Sequence, residues 1–297
     1  MSLQLSVAKA GMWWIARPIL QRSSSIRLLR ILAGLAAYVS LASTKDITIS
    51  SWAGPGGGLE FMPANLRFKR VLIWFHGGGY VVCSPRTHSA MLAEFARACQ
   101  CRIIAPVYRL APEHAGGAAF DDGLAACRAV LASGIAPADL VLAGDSAGGG
   151  LAAAVAAALC AEGCPAAGLI ALSPWTDMTG SGASYRSNAT LDVLLPSRRL
   201  AELVALVKGD LAVDDPRLSP AFARFPGLKR AYLSAGTHEI LLDDMRALAA
   251  RLAEDGAKVD AVEQPDAPHV LAFNAPFVPE ARAEIARIAE WLNQSPV

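Results

Sequence analysis

The segment LVLAGDSAGGG, residues 140–150, decides how this chain folds. Its apolar start predicts a buried strand, and the alanine-rich run over 148–161 predicts a helix. Gly144 and Gly148 flank Ser146, because so sharp a strand-to-helix turn leaves no room for side chains two positions from its apex. The pattern predicts that Ser146 is a nucleophile. A glycine-rich turn without chemistry is the plainer alternative, whereas a phosphate-binding loop is excluded because no Lys-Ser or Lys-Thr pair follows.

A second glycine-rich turn lies upstream, where VLIWF at 71–75 runs into HGGG at 76–79. The transition state of acyl transfer carries negative charge on the former carbonyl oxygen, and preorganised backbone N–H groups can stabilise it. We predict that the amides of Gly77, Gly78 and Ala147 do so, each contributing about 3 kcal/mol. HGGG alone can be a mere tight turn, but its pairing with a downstream GxSxG turn favours chemistry.

The base for this serine must be a histidine, and the chain has five. At nucleophile turns of this kind the partners follow in the chain order Ser, acid, His. His269 lies in PHV at 268–270, beyond the last predicted strand, where its loop can reach Ser146. We therefore predict His269 as the base, with a surface-loop histidine as the alternative. We assign His76 a structural role in the HGGG turn and His114 to another loop.

The acid is expected after the seventh predicted strand, where AGTHEILLDD at 235–244 offers three carboxylates. Glu239 follows the strand directly, on the carboxyl edge of the sheet where Ser146 also lies. Asp243 and Asp244 resemble the first turn of the next helix, where acidic residues interact favourably with the helix dipole. We therefore predict Glu239 as the acid that orients the histidine and stabilises its imidazolium form.

Short apolar runs alternate with alanine-rich helical runs after Ser43, which is typical of α/β proteins. The predicted strands span residues 46–50, 58–63, 70–75, 102–108, 140–143, 169–172, 230–235 and 259–264. The predicted helices span residues 89–99, 118–132, 148–161, 245–255 and 279–293. We expect a mostly parallel eight-stranded sheet with helices on both faces, because parallel strands require helical crossovers.

Composition supports a large core and narrows the choice of partners. The chain has 297 residues, of which 54% are hydrophobic and 18% charged, enough to bury a parallel sheet on both faces. A net charge of +1 gives no overall electrostatic footprint for nucleic acid or for an anionic membrane surface. The six cysteines have no metal-ligand spacing, so we predict no metal site and interpret them as buried hydrophobes in a reducing cytoplasm.

The N-terminal region contains two apolar stretches, 12–20 and 31–42, with arginines between them. Neither reaches the roughly 20 apolar residues that span a bilayer. A signal peptide would place its charges ahead of a single apolar run, whereas these charges are distributed. We expect no stable membrane anchor and a cytoplasmic location.

The predicted domain organisation is a catalytic domain covered by a cap. Residues 1–45 are predicted to be cap helices, and residues 46–297 the catalytic domain. The interval at about 180–215 breaks the strand pattern, contains a helix-like stretch at 198–207, and is predicted to be a cap insertion over the active site.

Taken in order, these motifs resemble those of the bacterial hormone-sensitive-lipase-like (family IV) esterases of the α/β-hydrolase superfamily. The resemblance covers roughly residues 46–295. It rests on HGGG at 76–79, YRLAPEH at 108–114, GDSAGG at 144–149, SPW at 173–175 and PHV at 268–270. The chain departs from the family pattern after His114, where AGG replaces an apolar, proline-containing run. The resemblance implies an α/β-hydrolase fold, with a cap built from N-terminal helices and an insertion after strand six.

The resemblance implies the same site residues as the reasoning above. Ser146 would be the nucleophile and His269 the base, with Gly77, Gly78 and Ala147 as oxyanion donors. The family usually carries Asp at the acid position, and this chain is similar to the members that carry Glu there.

We expect hydrolysis of short- to medium-chain carboxylic esters through an acyl-enzyme intermediate, with no cofactor. A small-molecule ester is the expected partner, and a homodimer stays open. One alternative is hydrolysis of another acyl bond, in a lactone, thioester or amide, because these bonds share the same intermediate. Another is a ligand receptor on this scaffold. The plant gibberellin receptors resemble the family but lack the catalytic histidine, so His269 argues against that reading.

Overall fold

One eight-stranded sheet organises the protein, whose computed structural model describes residues 1–39 and 45–294. The strands are β1 Ile47–Trp52, β2 Gly58–Pro63, β3 Val71–Phe75, β4 Arg102–Pro106, β5 Leu140–Asp145, β6 Gly168–Leu172, β7 Arg230–Gly236 and β8 Lys258–Gln264. Their spatial order is β1-β2-β4-β3-β5-β6-β7-β8. β2 runs antiparallel to β1 and β4, and every other pairing is parallel. This confirms the predicted α/β-hydrolase sheet.

Ten α-helices accompany the sheet within the described part of the chain. They are α1 Leu3–Gly11, α2 Arg17–Arg22, α3 Ile26–Val39, α4 Ser89–Cys99, α5 Ala118–Ala132, α6 Ala147–Ala161, α7 Ser184–Ser187, α8 Leu200–Val207, α9 Leu242–Glu254 and α10 Pro279–Asn293. A π-helical turn, Met12–Ala16, joins α1 to α2. Single 3₁₀ turns lie at Pro85–His88, Pro137–Asp139, Ser197–Arg199, Pro220–Phe222 and Leu271–Asn274. The five predicted crossover and C-terminal helices are all present.

The central strand β3 shows why the sheet is hydrophobic on both faces. Its five residues are all buried, because side chains alternate between two covered faces. Ile73 and Phe75 belong to the cluster formed with α5, α6 and α9. Leu72 and Trp74 belong to the cluster formed with α4 and α10. The carboxyl edge of this doubly covered sheet carries the loops that hold the predicted site.

The two segments predicted to form the cap contact each other. Arg17 Nη2 donates a hydrogen bond to the carbonyl oxygen of Ala189 at 2.8 Å, and Arg199 Nη1 donates to that of Gln21 at 3.1 Å. The helix-like stretch at 198–207 is a 3₁₀ turn followed by α8. Residues 40–44 of the predicted cap lie outside the described residues. In the part of the chain that the structure describes, no helix has the length and apolar character to cross a membrane.

α10 carries a carboxylate into the core, because Glu284 is only 1% exposed. Its Oε1 accepts hydrogen bonds from Ser234 Oγ in β7, at 2.7 Å, and from Gln264 Nε2 at the end of β8. Its Oε2 has no partner among the described residues. Burial raises the pKa of Glu284 from 4.5 to about 7, and these hydrogen bonds offset the shift only in part. The carboxylate ties β7 to β8 beneath the loops that leave both strands.

We predict that Glu284 makes the protein less stable as the pH rises from about 4.5 to about 7. Its folded-state pKa exceeds the unfolded value, so the folded protein binds the extra proton in this window and loses that advantage above it. Glu284→Gln should therefore raise the free energy of unfolding at about pH 8 by up to about 3 kcal/mol, and change it little at about pH 4.

Urea unfolding of both proteins at the two pH values measures this difference. Burial also raises the pKa of Asp244 to about 7, but both proteins contain Asp244, so its contribution to the difference cancels. Glu290→Gln, on the exposed side of α10, is the matched control and should change neither value. A Glu284→Gln protein that is less stable than wild type at the higher pH would contradict the prediction.

Candidate active site

Ser146 lies at the apex of the turn between β5 and α6, as the sequence predicts. Its backbone adopts φ 54° and ψ −125°, a strained conformation for a residue with a side chain. A Cβ at Gly144 would lie 2.2 Å from the carbonyl oxygen of Gly148, and one at Gly148 would lie 2.1 Å from that of Phe75. The two glycines are therefore required by space, which confirms the reason for the GxSxG spacing.

The structure brings the three predicted side chains together. His269 Nε2 lies 2.9 Å from Ser146 Oγ, and His269 Nδ1 lies 2.6 Å from Glu239 Oε2. A carboxylate can only accept a hydrogen bond, so His269 Nδ1 carries the proton and donates the hydrogen bond to Glu239. Nε2 is then free to accept the hydroxyl proton of Ser146. The residues meet across 123 and 30 positions of sequence, at the edge that parallel strands share.

The electrostatics of His269 suit a base that becomes charged. Burial lowers the pKa of His269, but the carboxylates of Glu239 and Asp192 outweigh that effect and leave the pKa raised above its usual 6.5. The imidazolium form therefore has a partner in place before it appears.

Glu239 is the carboxylate, of the three considered, that reaches His269. Asp243 accepts a hydrogen bond from the backbone N–H of Ser184 at 2.8 Å. Asp244 accepts two backbone N–H bonds from the loop after β6, each at 2.8 Å. Both aspartates lie in the first turn of α9, as predicted. Their carboxylates hold loops in place, and this leaves Glu239 as the candidate acid.

The structure corrects one predicted oxyanion donor. The N–H of Gly77 donates to Asp145 Oδ2 at 3.0 Å, so it is engaged inside the protein. The prediction for Gly77 is therefore wrong. The N–H groups of Gly78 and Ala147 have no acceptor within residues 1–39 and 45–294, and neither does that of Gly79, which the sequence reasoning omitted.

The side chain of Asp145 accepts the Gly77 N–H and is buried among further hydrogen-bond donors. Its Oδ1 accepts from Trp74 Nε1 at 2.9 Å, and its Oδ2 lies 3.1 Å from His88 Nε2. Burial opposes ionisation, but the neighbouring His88 and Trp74 side chains outweigh it and lower the pKa of Asp145. An aspartate directly before the nucleophile, on a fully buried strand, was the sequence signal that could have revealed this role.

His76 has the structural role that the sequence predicts. Its ring stacks on Tyr108 with 4.3 Å between ring centroids, and Tyr108 Oη donates to the His76 carbonyl oxygen at 2.6 Å. Burial lowers the pKa of His76 to about 3, so the ring is neutral at ordinary pH. Tyr108 belongs to the YRLAPEH segment, which thus supports the glycine turn from below.

Sequence reasoning missed Ser173, which links the acid to the histidine loop. Its Oγ donates to Glu239 Oε1 at 2.8 Å and accepts from the N–H of Val270 at 3.0 Å. Glu239 Oε1 also accepts from the N–H of Gly236 at 2.5 Å. The acid is thereby held at both of its oxygens, and SPW at 173–175 gains a physical reason.

Two buried side chains from the 180–215 interval bind the backbone around Glu239, and sequence reasoning missed both. Asn188 Nδ2 donates to the backbone carbonyl oxygens of Glu239, at 2.8 Å, and Thr237, at 3.0 Å. Asp192 Oδ2 accepts from the N–H of Ile240 at 3.0 Å. The backbone on both sides of Glu239 is therefore fixed by residues about 50 positions earlier, and no local pattern marks them.

Comparison with known proteins decides the family. A family model described as alpha/beta hydrolase fold matches residues 72–273. The chain belongs to this family. It is 36% identical to an acetyl-hydrolase of Streptomyces hygroscopicus over 73% of each chain. It is 33% identical to an esterase of Acinetobacter venetianus over 78% of this chain and 77% of the other.

Solved structures narrow the family further. An esterase from the bacterial hormone-sensitive lipase family superposes with a TM-score of 0.93 at 35% identity, covering 100% of this chain and 99% of that one. The EstE5 structure soaked with p-nitrophenyl butyrate superposes with a TM-score of 0.92 at 31% identity, covering 99% of both. This α/β hydrolase therefore belongs with the hormone-sensitive-lipase-like (family IV) esterases, which are carboxylic ester hydrolases.

We predict that Asn188→Ala lowers kcat by about 10-fold or more with little change in KM. The substitution leaves two buried carbonyl oxygens unpaired, at a cost of about 1 to 3 kcal/mol, and frees the backbone that carries Glu239. Steady-state kinetics and thermal unfolding measure the two effects, with exposed Asn65→Ala as the matched control. A destabilised variant with wild-type kcat would show that Asn188 supports the fold alone.

Proposed function

We propose that this α/β hydrolase is a serine carboxylesterase that hydrolyses short- to medium-chain acyl esters through an acyl-enzyme intermediate. The observation that carries the proposal is the continuous hydrogen-bond path from Ser146 Oγ through His269 to Glu239. A nucleophile, a base and an orienting acid in this geometry perform acyl transfer on several unrelated folds. A ligand receptor on this scaffold would not require the path.

In the proposed first half-reaction, His269 Nε2 accepts the hydroxyl proton of Ser146 while Oγ attacks the ester carbonyl carbon. The carbonyl oxygen becomes an oxyanion, for which the free N–H groups of Gly78, Gly79 and Ala147 are the candidate donors. Glu239 stabilises the imidazolium form of His269.

Collapse of the tetrahedral intermediate breaks the bond between the carbonyl carbon and the alcohol oxygen. The alcohol leaves with the proton from His269, and the acyl group stays on Ser146 Oγ. Water then gives a proton to His269 and attacks the acyl carbon in the second half-reaction. The bond between the acyl carbon and Ser146 Oγ then breaks, and His269 returns the proton to Oγ. The carboxylic acid leaves and the Ser146 hydroxyl is restored, so the cycle needs no cofactor.

Two observations support a short or medium acyl chain. Leu203 of α8 lies close over the glycine turn, since a Cβ at Gly79 would be 2.8 Å from Leu203 Cδ2. The cap insertion thus leaves little height above the proposed oxyanion site. The Streptomyces relative is an acetyl-hydrolase, and EstE5 was soaked with a butyrate ester, so small acyl groups occur among similar proteins.

We predict that initial rates on p-nitrophenyl esters of increasing chain length are highest for short and medium chains, and that Ser146→Ala abolishes them. One hydroxyl on the turn contributes little to the core, so thermal unfolding of the variant should match wild type. Mass mapping after reaction with an organophosphonate should find the adduct on Ser146 alone. A folded Ser146→Ala protein with full activity, or an adduct on another serine, would refute the nucleophile assignment.

We predict that Glu239→Gln lowers kcat by about 10⁴-fold, as loss of the charge on a triad acid does, whereas Asp243→Asn is mild. The neutral amide no longer supports the imidazolium form, so the pKa of His269 should fall. Turnover needs neutral His269 and rises as the pH passes its pKa, so the acid limb of the kcat profile should move to lower pH. The reverse ranking in folded variants would transfer the role to Asp243.

A further inference from the structure

The N-terminal segment, residues 1–45, is the basic part of a nearly neutral chain. It contains six of the 27 Lys and Arg residues and none of the 26 Asp and Glu residues, so the remainder of the chain is net negative. The whole-chain charge of +1 conceals this separation. Charge asymmetry of this kind bears on which partners each part of the surface can meet.

The same segment exposes apolar side chains at helical spacing. Leu3, Val7 and Trp14 lie at i, i+4 and i+11 along α1 and the π-helical turn, and they are 78%, 64% and 75% exposed. In α3, Leu28, Ile31 and Leu35 lie at i, i+3 and i+7 and are all exposed. α1 with the π-helical turn, and α3 beyond α2, thus each expose an apolar stripe to solvent.

Two exposed arginines accompany the stripes. Arg22 ends α2 and Arg27 lies in the first turn of α3, and both are exposed. Neither guanidinium has an acceptor in the ranges that the structure describes, whereas Arg30 forms an ion pair with Glu113 at 2.8 Å. We call the stripes and these two arginines the N-terminal outer face; it comprises Leu3, Val7, Trp14, Arg22, Arg27, Leu28, Ile31 and Leu35.

The opposite side of the N-terminal helices is fixed to the protein. Leu5 is buried, and the N–H and hydroxyl of Ser2 donate to Glu280 at 2.5 and 2.7 Å. Lys9 Nζ donates to the carbonyl oxygen of Asp266 at 2.9 Å, three positions before His269 in sequence. The N-terminal outer face is therefore presented by docked helices, next to a loop of the proposed active site.

We propose that the N-terminal outer face adsorbs reversibly to a lipid surface that carries anionic headgroups. Amphipathic helices with basic and large apolar residues lie in the headgroup region, where apolar burial and electrostatic attraction act together. A second copy of this chain is a poorer occupant, because its N-terminal segment has no acidic residue that could pair with Arg22 and Arg27. The surface would hold the site near esters dissolved in the lipid.

Vesicle flotation of full-length Ser146→Ala protein tests the proposal independently of turnover. Vesicles of phosphatidylcholine alone are compared with vesicles containing about one third phosphatidylglycerol, at about 0.1 M and about 0.5 M salt. We expect binding to the anionic vesicles at low salt, and little binding in the other conditions. Arg22→Gln with Arg27→Gln should lower the partition coefficient at least about 10-fold, and Trp14→Ser should lower it by a similar factor.

The matched charge controls come from the amino edge of the sheet. Lys229 and Lys258 are exposed at the amino ends of β7 and β8, so Lys229→Gln with Lys258→Gln removes two charges away from the N-terminal outer face. Phe222→Ser removes an exposed aromatic side chain elsewhere. All controls should bind as Ser146→Ala does, and thermal unfolding should verify that every variant is folded.

Three outcomes would overturn the proposal. The first is equal binding to neutral and anionic vesicles. The second is an equal loss of binding in the matched controls. The third is a protein that does not bind vesicles and that sediments as a dimer, which Trp14→Ser dissociates. The last outcome would assign the N-terminal outer face to a second copy. None of these outcomes bears on whether Ser146 is the nucleophile.

Discussion

The strained turn at Ser146 is the constraint on which the rest of the site depends. Hydrogen bonds hold its backbone on both sides. The Ser146 N–H donates to the carbonyl oxygen of Leu172 at 2.8 Å, and the Ser146 carbonyl oxygen accepts from the N–H of Trp175 at 3.0 Å. Both partners belong to the end of β6 and the loop after it. A positive φ at a residue with a side chain persists when its surroundings over-determine it, and here the neighbouring strand supplies that determination. The position of Ser146 is therefore set by two adjacent strands, β5 and β6.

The same loop extends this constraint to the rest of the site. Ser173, two residues before Trp175, connects Glu239 to the backbone of the histidine loop. The segment between β6 and β7 completes the arrangement, because its Asn188 and Asp192 bind the backbone on both sides of Glu239. A change at Asn188 or Asp192 can therefore displace Glu239 through the backbone.

Three buried carboxylates outside the Ser146, His269 and Glu239 group fix the structure around it. Asp145 occupies the amide of Gly77, Asp244 holds the loop after β6, and Glu284 ties β7 to β8. Each accepts hydrogen bonds from buried donors, which offset the cost of burying an acid. The cost of burial remains visible in two of them, because burial raises the pKa values of Glu284 and Asp244 to about 7. The protein accepts this local cost where loops of the site need fixed backbone positions.

The sequence by itself determined the fold and the identity of the three central side chains. Alternating apolar runs and helical runs report on burial and period, and GxSxG reports on a local steric need, so both can be read without tertiary contacts. Chain order and the edge shared by parallel strands then singled out Ser146, Glu239 and His269. Only the tertiary structure decided which glycine amides stay free, and which side chains, among them Ser173 and Asn188, hold the acid. Those choices depend on hydrogen bonds between residues about 50 or more positions apart, and such bonds leave no periodic or local trace in the sequence.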